Sequence, residues 1–215
     1  MLHELLAIWF GWVRDWGYLG VFVLMAMESS IFPVPSEVVM PPAAYWAAQG
    51  QFDFWGIVLA GTAGSWFGSA VTYWVARWAG APVVKRYGKW FLLGPEKIKM
   101  AEVWVRDFGT LGIFIARLLP VVRHLISIPA GLFRMPFVPF SLVTTAGAFL
   151  WCSVLSWFGK EVIGDRPDLL NSPDAMVAVM KERLIYFIVA VLLLGALTFL
   201  VKWKSRRSAG EQAIS

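Results

Sequence analysis

The sequence predicts an all-α integral membrane protein, built as an inverted repeat of a re-entrant helical hairpin and a transmembrane helix, with an extra C-terminal transmembrane helix. Three observations support this fold class. The chain of 215 residues is 59% hydrophobic and only 15% charged, whereas a typical soluble domain is about 25% charged. Some of its apolar stretches are long enough to cross a bilayer, and others are interrupted by proline. Similar motifs also recur in the same order in two halves of the chain.

The composition restricts the classes of function. A soluble chain of this size could not cover so much apolar surface with so few charges. The formal net charge of +5 does not indicate a nucleic-acid partner, because the basic residues flank apolar stretches, as in the cytoplasmic loops of membrane proteins. Cys152 is the single cysteine, which excludes an intrachain disulfide and a thiolate cluster. No removable signal peptide is expected at the N-terminus.

The first 50 residues predict an interfacial helix followed by a re-entrant hairpin. Residues 1–16 place apolar side chains largely on one helical face, which is typical of a helix lying in the membrane interface. In the hairpin, expected over 17–50, the arms Tyr18–Met27 and Val38–Ala48 each reach about half-way through a bilayer. The sequence Pro33-Val-Pro35 between them removes backbone donors and disfavours helix. One distorted full span is the alternative.

Three runs are long and apolar enough to cross a bilayer, which takes about 20 residues at 1.5 Å per residue. They predict transmembrane helices over 54–76, 135–159 and 184–203. A second re-entrant hairpin is expected over 108–134, with a break at Pro120 between its two apolar arms. Here too, one distorted span is the alternative.

Charge bias orients these elements. The linker 77–107 carries seven basic residues against three acidic ones, the loop 160–183 carries four against five, and the tail 204–215 is basic. By the positive-inside rule, the amphipathic linker and the tail are cytoplasmic and the loop is extracytoplasmic. We therefore expect a multi-pass protein with a cytoplasmic C-terminus, whose two hairpins enter the membrane from opposite sides.

Two pairs of motifs indicate the internal repeat. Trp16-Gly-Tyr-Leu-Gly-Val-Phe22 aligns with Phe108-Gly-Thr-Leu-Gly-Ile-Phe114, and Thr62-Ala-Gly64 aligns with Thr145-Ala-Gly147. Each pair lies at the same place in its half, ahead of the same kind of element. Two repeats of opposite orientation, each with a broken hairpin, form the plan of many secondary transporters.

Four ionisable residues in apolar sequence indicate a site: Glu28 and Glu37 beside the first proline break, and Arg117 and Arg123 beside the second. Each costs roughly 2.5–3.5 kcal/mol inside a membrane on the lenient insertion scale. Carboxyl groups in a low-dielectric pocket are candidates for proton coupling. Guanidinium groups match phosphate and are candidates for binding it. The alternative is that the glutamates cap broken helix ends and the arginines form permanent salt bridges with them.

Six further residues are expected to support the hairpin tips. They are Pro33, Pro35, Ser36, Pro120, His124 and Gly131. The prolines shape the tips, the serine caps the helix that starts near Glu37, the histidine makes a local hydrogen bond, and the glycine allows close packing. No phosphate-cradling loop, metal-ligand cluster or nucleophile–base pair is evident. We therefore expect no catalytic residue, no metal and no cofactor.

Over about residues 15–160 the chain resembles the DedA family, also called the SNARE-associated or VTT-domain family. Three motifs carry the resemblance: Glu28 ahead of Phe-Pro33-Val-Pro35-Ser36-Glu37; Gly61, Gly64 and Gly68 ahead of Tyr73; and Phe114-Ile-Ala-Arg117-Leu-Leu-Pro120-Val-Val-Arg123 ahead of Ala130-Gly131. The resemblance implies a lipid translocase of the bacterial inner membrane. It implies undecaprenyl phosphate or phosphatidylethanolamine as substrate, dependence on the proton gradient, and the same two glutamates and two arginines as functional residues.

These observations combine into one hypothesis. The hairpin tips meet near the midplane, Arg117 and Arg123 bind a lipid phosphate, and protonation of Glu28 or Glu37 couples the proton gradient to flipping. Undecaprenyl phosphate is the first substrate, because a single exposed phosphomonoester suits two guanidiniums. A phosphatidylethanolamine flippase, a proton-coupled transporter of a small ion or solute, and a non-transport scaffold are the alternatives. The glycine spacing suits helix packing within a monomer as well as between two monomers, so it does not decide whether the protein is a homodimer.

Overall fold

Helices account for all the regular secondary structure of the described residues, which confirms the expected all-α class. The computed structural model describes residues 2–30, 34–87, 95–119 and 122–165, with Val179, Glu182, Ile185 and Val189. The helices are α1 Leu2–Trp16, α2 Tyr18–Glu28, α3 Ser36–Ala48, α4 Phe54–Tyr87, α5 Pro95–Arg117, α6 Val122–Leu125, α7 Ser127–Leu132 and α8 Phe137–Asp165. Pro33, Pro120, the predicted tail and most of the 160–183 loop and the 184–203 span lie outside the described residues.

Two of the described helices are long and apolar enough to cross a membrane. The segments are Phe54–Trp78 in α4 and Phe137–Glu161 in α8, close to two of the predicted spans. The helices run antiparallel: the ring of Tyr73 stacks on that of Phe140, and further back along α4 a Cβ at Gly61 would lie 3.2 Å from the Cys152 sulfur. Each exposes large apolar side chains on its outer side, as a lipid-facing helix does.

The helices on either side of the first break are too short to span a bilayer. α2 has 11 residues and α3 has 13, which correspond to about 16 and 20 Å at 1.5 Å per residue, against a hydrocarbon core of about 30 Å. Pro41 and Pro42 lie inside α3 and remove two further backbone donors. The two arms therefore end near each other, at Glu28 and Ser36.

The sequence match on which the predicted repeat depends extends further towards the N-terminus of each half. Residues 12–20 read Trp-Val-Arg-Asp-Trp-Gly-Tyr-Leu-Gly and residues 104–112 read Trp-Val-Arg-Asp-Phe-Gly-Thr-Leu-Gly, identical at seven of nine positions. Both copies break the helix at the same glycine, Gly17 with φ 55° and ψ −126° and Gly109 with φ 52° and ψ −131°. Only glycine adopts this conformation readily. In each copy an amphipathic helix is thus joined to a hairpin arm by the same backbone break.

The two halves also pack in equivalent ways. The first arm of each hairpin lies on the long helix of its own half, α2 on α4 and α5 on α8, and the second part lies on the long helix of the other half, α3 on α8 and α7 on α4. Glycines permit this closeness: a Cβ would lie 2.2 Å from a backbone oxygen at Gly64 and at Gly131, and 2.4 Å from the Pro41 Cα at Gly159. The arrangement holds the described helices on both sides of each break against α4 and α8.

Candidate functional site

A buried ion pair joins the two hairpins. Glu28, the last residue of α2, accepts a hydrogen bond at Oε2 from Nη2 of Arg123 in α6, at 2.8 Å. Both residues are 3% exposed. The pair thus brings together one acid and one arginine that the sequence analysis assigned to opposite hairpins.

Ser36 and Trp151 complete a ring of contacts with this pair. The Ser36 backbone N–H donates to Glu28 Oε1 at 3.0 Å, and Trp151 Nε1 donates to Ser36 Oγ at 3.1 Å. The ring of Trp151 lies below Arg123, with its centroid 4.8 Å from Cζ. Because Arg123 also bonds to Glu28, these contacts connect the four helices α2, α3, α6 and α8.

The expectation that Ser36 caps its helix is wrong. Pro35 is the N-cap of α3 and no side chain caps that helix end, whereas Ser36 is its first residue. The carboxylate of Glu28 accepts the Ser36 N–H instead. A negative group from α2 therefore lies at the N-terminus of α3, where the helix dipole favours it.

Arg117 is a buried cation without a carboxylate partner within the described part of the chain. It ends α5, is 3% exposed, and donates from Nη2 to Ser127 Oγ at 2.7 Å. Its Cζ lies 5.9 Å from the centroid of the Phe140 ring. Its Cβ occupies the space that Gly147 leaves, since a Cβ at that glycine would lie 2.8 Å away. Arg117 is close enough to act electrostatically on both Arg123 and Glu28.

Among the described residues, two guanidinium N–H groups of the site have no hydrogen-bond acceptor. Arg117 Nε and Arg123 Nη1 are both buried and have no hydrogen-bond partner among the described residues. A buried N–H without an acceptor is costly, and here both belong to cations. With both guanidiniums and the Glu28 carboxylate ionised, the described residues of this cluster carry a net charge of +1.

Glu37 does not join the cluster. It is partly buried, and its Oε2 lies 3.5 Å from Ser36 Oγ, with no arginine within salt-bridge distance in the described ranges. His124, next to Arg123 in α6, is also partly buried. Gly131 is in α7, away from the ion pair, and makes the close approach to α4 described above. The structure therefore groups Glu28, Arg117 and Arg123, and leaves Glu37 beside them.

The cluster lies well inside the candidate spans. Gly147, which contacts Arg117, is 10 residues from Phe137 and 14 from Glu161, or about 15 and 21 Å along the helix at 1.5 Å per residue. The three charged residues of the cluster are nearly inaccessible to solvent. In this conformation the cluster is consequently closed off from solvent.

Three residues of the site were missed by the sequence analysis: Ser127, Phe140 and Trp151. Ser127 and Trp151 bond to groups in the cluster, and Phe140 and Trp151 lie against the two guanidiniums. For Phe140 and Trp151 the helical spacing is the available signal, since positions 140, 147 and 151 fall on one face of α8. No group of three or more His, Cys, Asp or Glu side chains that could hold a metal ion occurs in the described part of the chain.

Comparison with known proteins identifies a matching family and several relatives of this chain. The family model of the VTT domain matches residues 34–161. The chain is 33% identical over 184 residues to undecaprenyl phosphate transporter A of Bacillus subtilis, covering 83% of this chain and 90% of that protein. It is 29% identical over 154 residues to undecaprenyl phosphate transporter A of Staphylococcus aureus, covering 70% and 76%.

A third relative is named after a phosphatase and not after a transporter. The alkaline phosphatase-like protein of Lactococcus lactis subsp. lactis is 33% identical over 209 residues, which cover 93% of this chain and 96% of that protein. No solved structure matches the chain.

Proposed function

This chain belongs to the VTT-domain family, also called the DedA family, and we propose that it flips a phosphate-bearing lipid across the bacterial inner membrane. The family and the names of two relatives indicate a transporter rather than an enzyme. Undecaprenyl phosphate, which both of those names contain, is the first substrate proposed. Phosphatidylethanolamine is the second.

The observation that carries the proposal is that, of the two buried arginines, only Arg123 has a carboxylate partner among the described residues. Arg117 Nε and Arg123 Nη1 are unused donors, and guanidinium donors match the oxygens of a phosphate. A phosphomonoester carries about −1.5 to −2 charges at pH 7, which compensates the excess charge of the site better than a zwitterionic headgroup does. This supports undecaprenyl phosphate over phosphatidylethanolamine.

The surroundings of the site suit a lipid. The outer faces of α4 and α8 are apolar and exposed, while the arginines lie about half-way along the candidate spans. A lipid whose headgroup enters between the hairpins can keep its tail in the bilayer. The charge then crosses the membrane inside the protein, without exposure to hydrocarbon.

Protons enter the proposal through the ion pair. A phosphate that binds Arg123 competes with Glu28 for the same guanidinium, and a displaced buried carboxylate is costly unless it takes up a proton. Glu37, beside Ser36, is the next carboxylate along the chain. Glu28→Gln should abolish the response of the flipping rate to an imposed pH gradient, and an undiminished response in both Glu28→Gln and Glu37→Gln would exclude coupling through these groups.

Flipping is tested with the purified full chain in vesicles that contain undecaprenyl phosphate. A soluble phosphatase added outside removes phosphate from the outer leaflet alone, and a working flippase delivers the inner pool to it. We expect Arg117→Ala and Arg123→Ala to slow this delivery at least about tenfold, because a hydrogen bond to a charged group contributes about 1.5–3 kcal/mol. Arg14→Ala, at an exposed arginine paired with Asp15, is the matched control.

Three outcomes decide between the proposals. Wild-type rates in both buried-arginine variants would overturn the phosphate-binding role. Transport of labelled phosphatidylethanolamine but not of undecaprenyl phosphate would select the second substrate. Release of inorganic phosphate without the added phosphatase would indicate hydrolysis, the activity that the name of the Lactococcus relative suggests for that protein.

The topology belongs to the same proposal. We place the hairpins on opposite sides of the membrane, the 49–53 turn outside and the C-terminal tail in the cytoplasm, in agreement with the charge bias. In intact cells, an impermeant thiol reagent should label Gln51→Cys but not Lys204→Cys. Cys152 is buried and serves as the unlabelled background. The reverse pattern would invert the orientation.

A further inference from the structure

We propose that Thr144 is a third hydrogen-bond donor to the bound phosphate and sets the preference for a phosphate monoester. The inference rests on the proposed function, since it adds a residue to the same site. Thr144 belongs to α8, is fully buried, and has no hydrogen-bond partner for Oγ1 among the described residues.

The position of Thr144 on α8 places it between two contacts of Arg117, on the face that also contacts Arg123. Phe140, Thr144, Gly147 and Trp151 follow one another at steps of four, three and four residues, which puts them on one face of the helix. Phe140 and Gly147 contact Arg117, and Trp151 contacts Arg123. Thr144 is the hydroxyl residue of this face.

The unbonded hydroxyl distinguishes Thr144 from the other threonines of α4 and α8, although the Oγ atoms of four described serines (Ser29, Ser65, Ser153 and Ser156) are also buried and unbonded. A threonine inside a helix commonly donates to the carbonyl four residues earlier. Thr62 does so to Val58 at 2.7 Å, Thr72 to Gly68 at 2.9 Å, and Thr145, the neighbour of Thr144, to Ser141 at 2.9 Å. Thr144 makes no such bond. Its donor is therefore available to a ligand that brings its own acceptor.

The side chains that flank Thr144 on this face of α8, and the two guanidiniums that they contact, cannot take this proton in a conventional hydrogen bond. Guanidinium groups have donors and no acceptor, and Phe140 and Trp151 offer only ring faces and an N–H donor. An anion between Arg117 and Arg123 would supply the missing acceptor. A phosphate monoester has three free oxygens, one for each arginine and one for the threonine, whereas a phosphodiester has only two.

The repeat shows that this face of α8 differs from its counterpart. With Gly64 aligned to Gly147, Thr144 corresponds to Gly61 and Trp151 to Gly68. In α4 a Cβ at Gly61 would lie 2.8 Å from the Met40 sulfur, and one at Gly68 would lie 2.1 Å from the Ala26 carbonyl oxygen. The first half thus fills this face with packed chain, and the second half places a hydroxyl and an indole there, beside the arginines.

The test compares Thr144→Val, which keeps the shape and removes the hydroxyl, with Thr144→Ser, which keeps the hydroxyl. Binding of farnesyl monophosphate to the purified full chain is measured by calorimetry, with farnesol and inorganic phosphate as separate probes. We expect about tenfold weaker binding of farnesyl monophosphate in Thr144→Val, and near wild-type affinity in Thr144→Ser and in the control Thr145→Val.

Thermal unfolding separates this role from a structural one. Removing a buried hydroxyl that has no partner should leave the melting temperature unchanged or raise it, so binding and stability should move independently in Thr144→Val. Equal affinity of wild type and Thr144→Val would overturn the inference while leaving the arginines in place. Absence of farnesyl monophosphate binding by wild type would instead count against the proposed function. A loss of farnesol binding in Thr144→Val equal to that of farnesyl monophosphate would also overturn the inference, because farnesol has no phosphate to accept the hydrogen bond.

Discussion

Glu28 and Arg123 are separated by 95 positions in the chain, yet Glu28 Oε2 and Arg123 Nη2 lie 2.8 Å apart with both residues buried. No helix of the first hairpin packs extensively along a helix of the second within the described ranges; each hairpin is held by α4 and α8 instead. Among the described residues, the ion pair is therefore a direct link between the two hairpins. A ligand that replaces Glu28 or Arg123 in this ion pair would change the contact between the two hairpins.

The first prediction concerns the two glutamates. Glu28→Gln leaves Arg123 buried without a counter-charge, which in a buried pair costs about 3–5 kcal/mol, so the melting temperature in detergent should fall markedly. Glu37→Gln alters a partly buried group that accepts a hydrogen bond from Ser36 Oγ and forms no ion pair among the described residues, and it should change stability by less than about 1 kcal/mol. Equal shifts in the two variants would mean that the Glu28 pair does not hold the hairpins together.

The second prediction separates binding by Arg123 from its pairing with Glu28. In the double variant Glu28→Arg, Arg123→Glu the charges of the pair are exchanged, so the attraction between positions 28 and 123 is retained. We expect the double variant to be more stable than either single one, as a coupled pair requires, but to stay inactive in lipid flipping because the phosphate donor has moved. Restored flipping would show that Arg123 serves only as the partner of Glu28.

The third prediction tests the close approach of α2 to α4. A Cβ at Gly68 would lie 2.1 Å from the Ala26 carbonyl oxygen, which is backbone and cannot swing aside. Gly68→Ala should therefore separate the helices and destabilise the fold by about 1–3 kcal/mol, the usual cost of overpacking a core. Gly11→Ala, in α1, meets nothing within 4 Å and should be neutral or stabilising by up to about 1 kcal/mol. The melting temperatures of the two variants decide the matter.

Much of the fold could be predicted from sequence, because the signals are local. The uncharged runs around Gly64 and Gly147 are long enough to mark two helices, and prolines mark the breaks between short arms. The charged residues were also found, since an ionised group in apolar sequence is conspicuous. These signals need no knowledge of how distant segments meet.

The pairing within the site could not be predicted in the same way. Glu28 and Glu37 flank the same break, and sequence alone gives no reason for Arg123 to select Glu28. The selection depends on α2 lying along α4 and on α3 beginning at Ser36, which turns its N–H towards Glu28. Trp151 was overlooked because a tryptophan in an apolar run is ordinarily a packing or interface residue.

The last prediction concerns Tyr73, which ties α4 to the start of α8. Its hydroxyl donates to the Met135 carbonyl and accepts a hydrogen bond from Arg77 at 2.9 Å, and its ring stacks on Phe140 with centroids 4.8 Å apart. Tyr73→Phe keeps the ring and leaves the buried carbonyl without this donor, which should cost about 1–3 kcal/mol. Tyr18→Phe is the matched control, because Tyr18 accepts a hydrogen bond from the Asp53 N–H at an exposed position. It should lose no more than about 1 kcal/mol in thermal unfolding, and an equal loss in the two variants would show that the Tyr73 hydroxyl does not hold this joint.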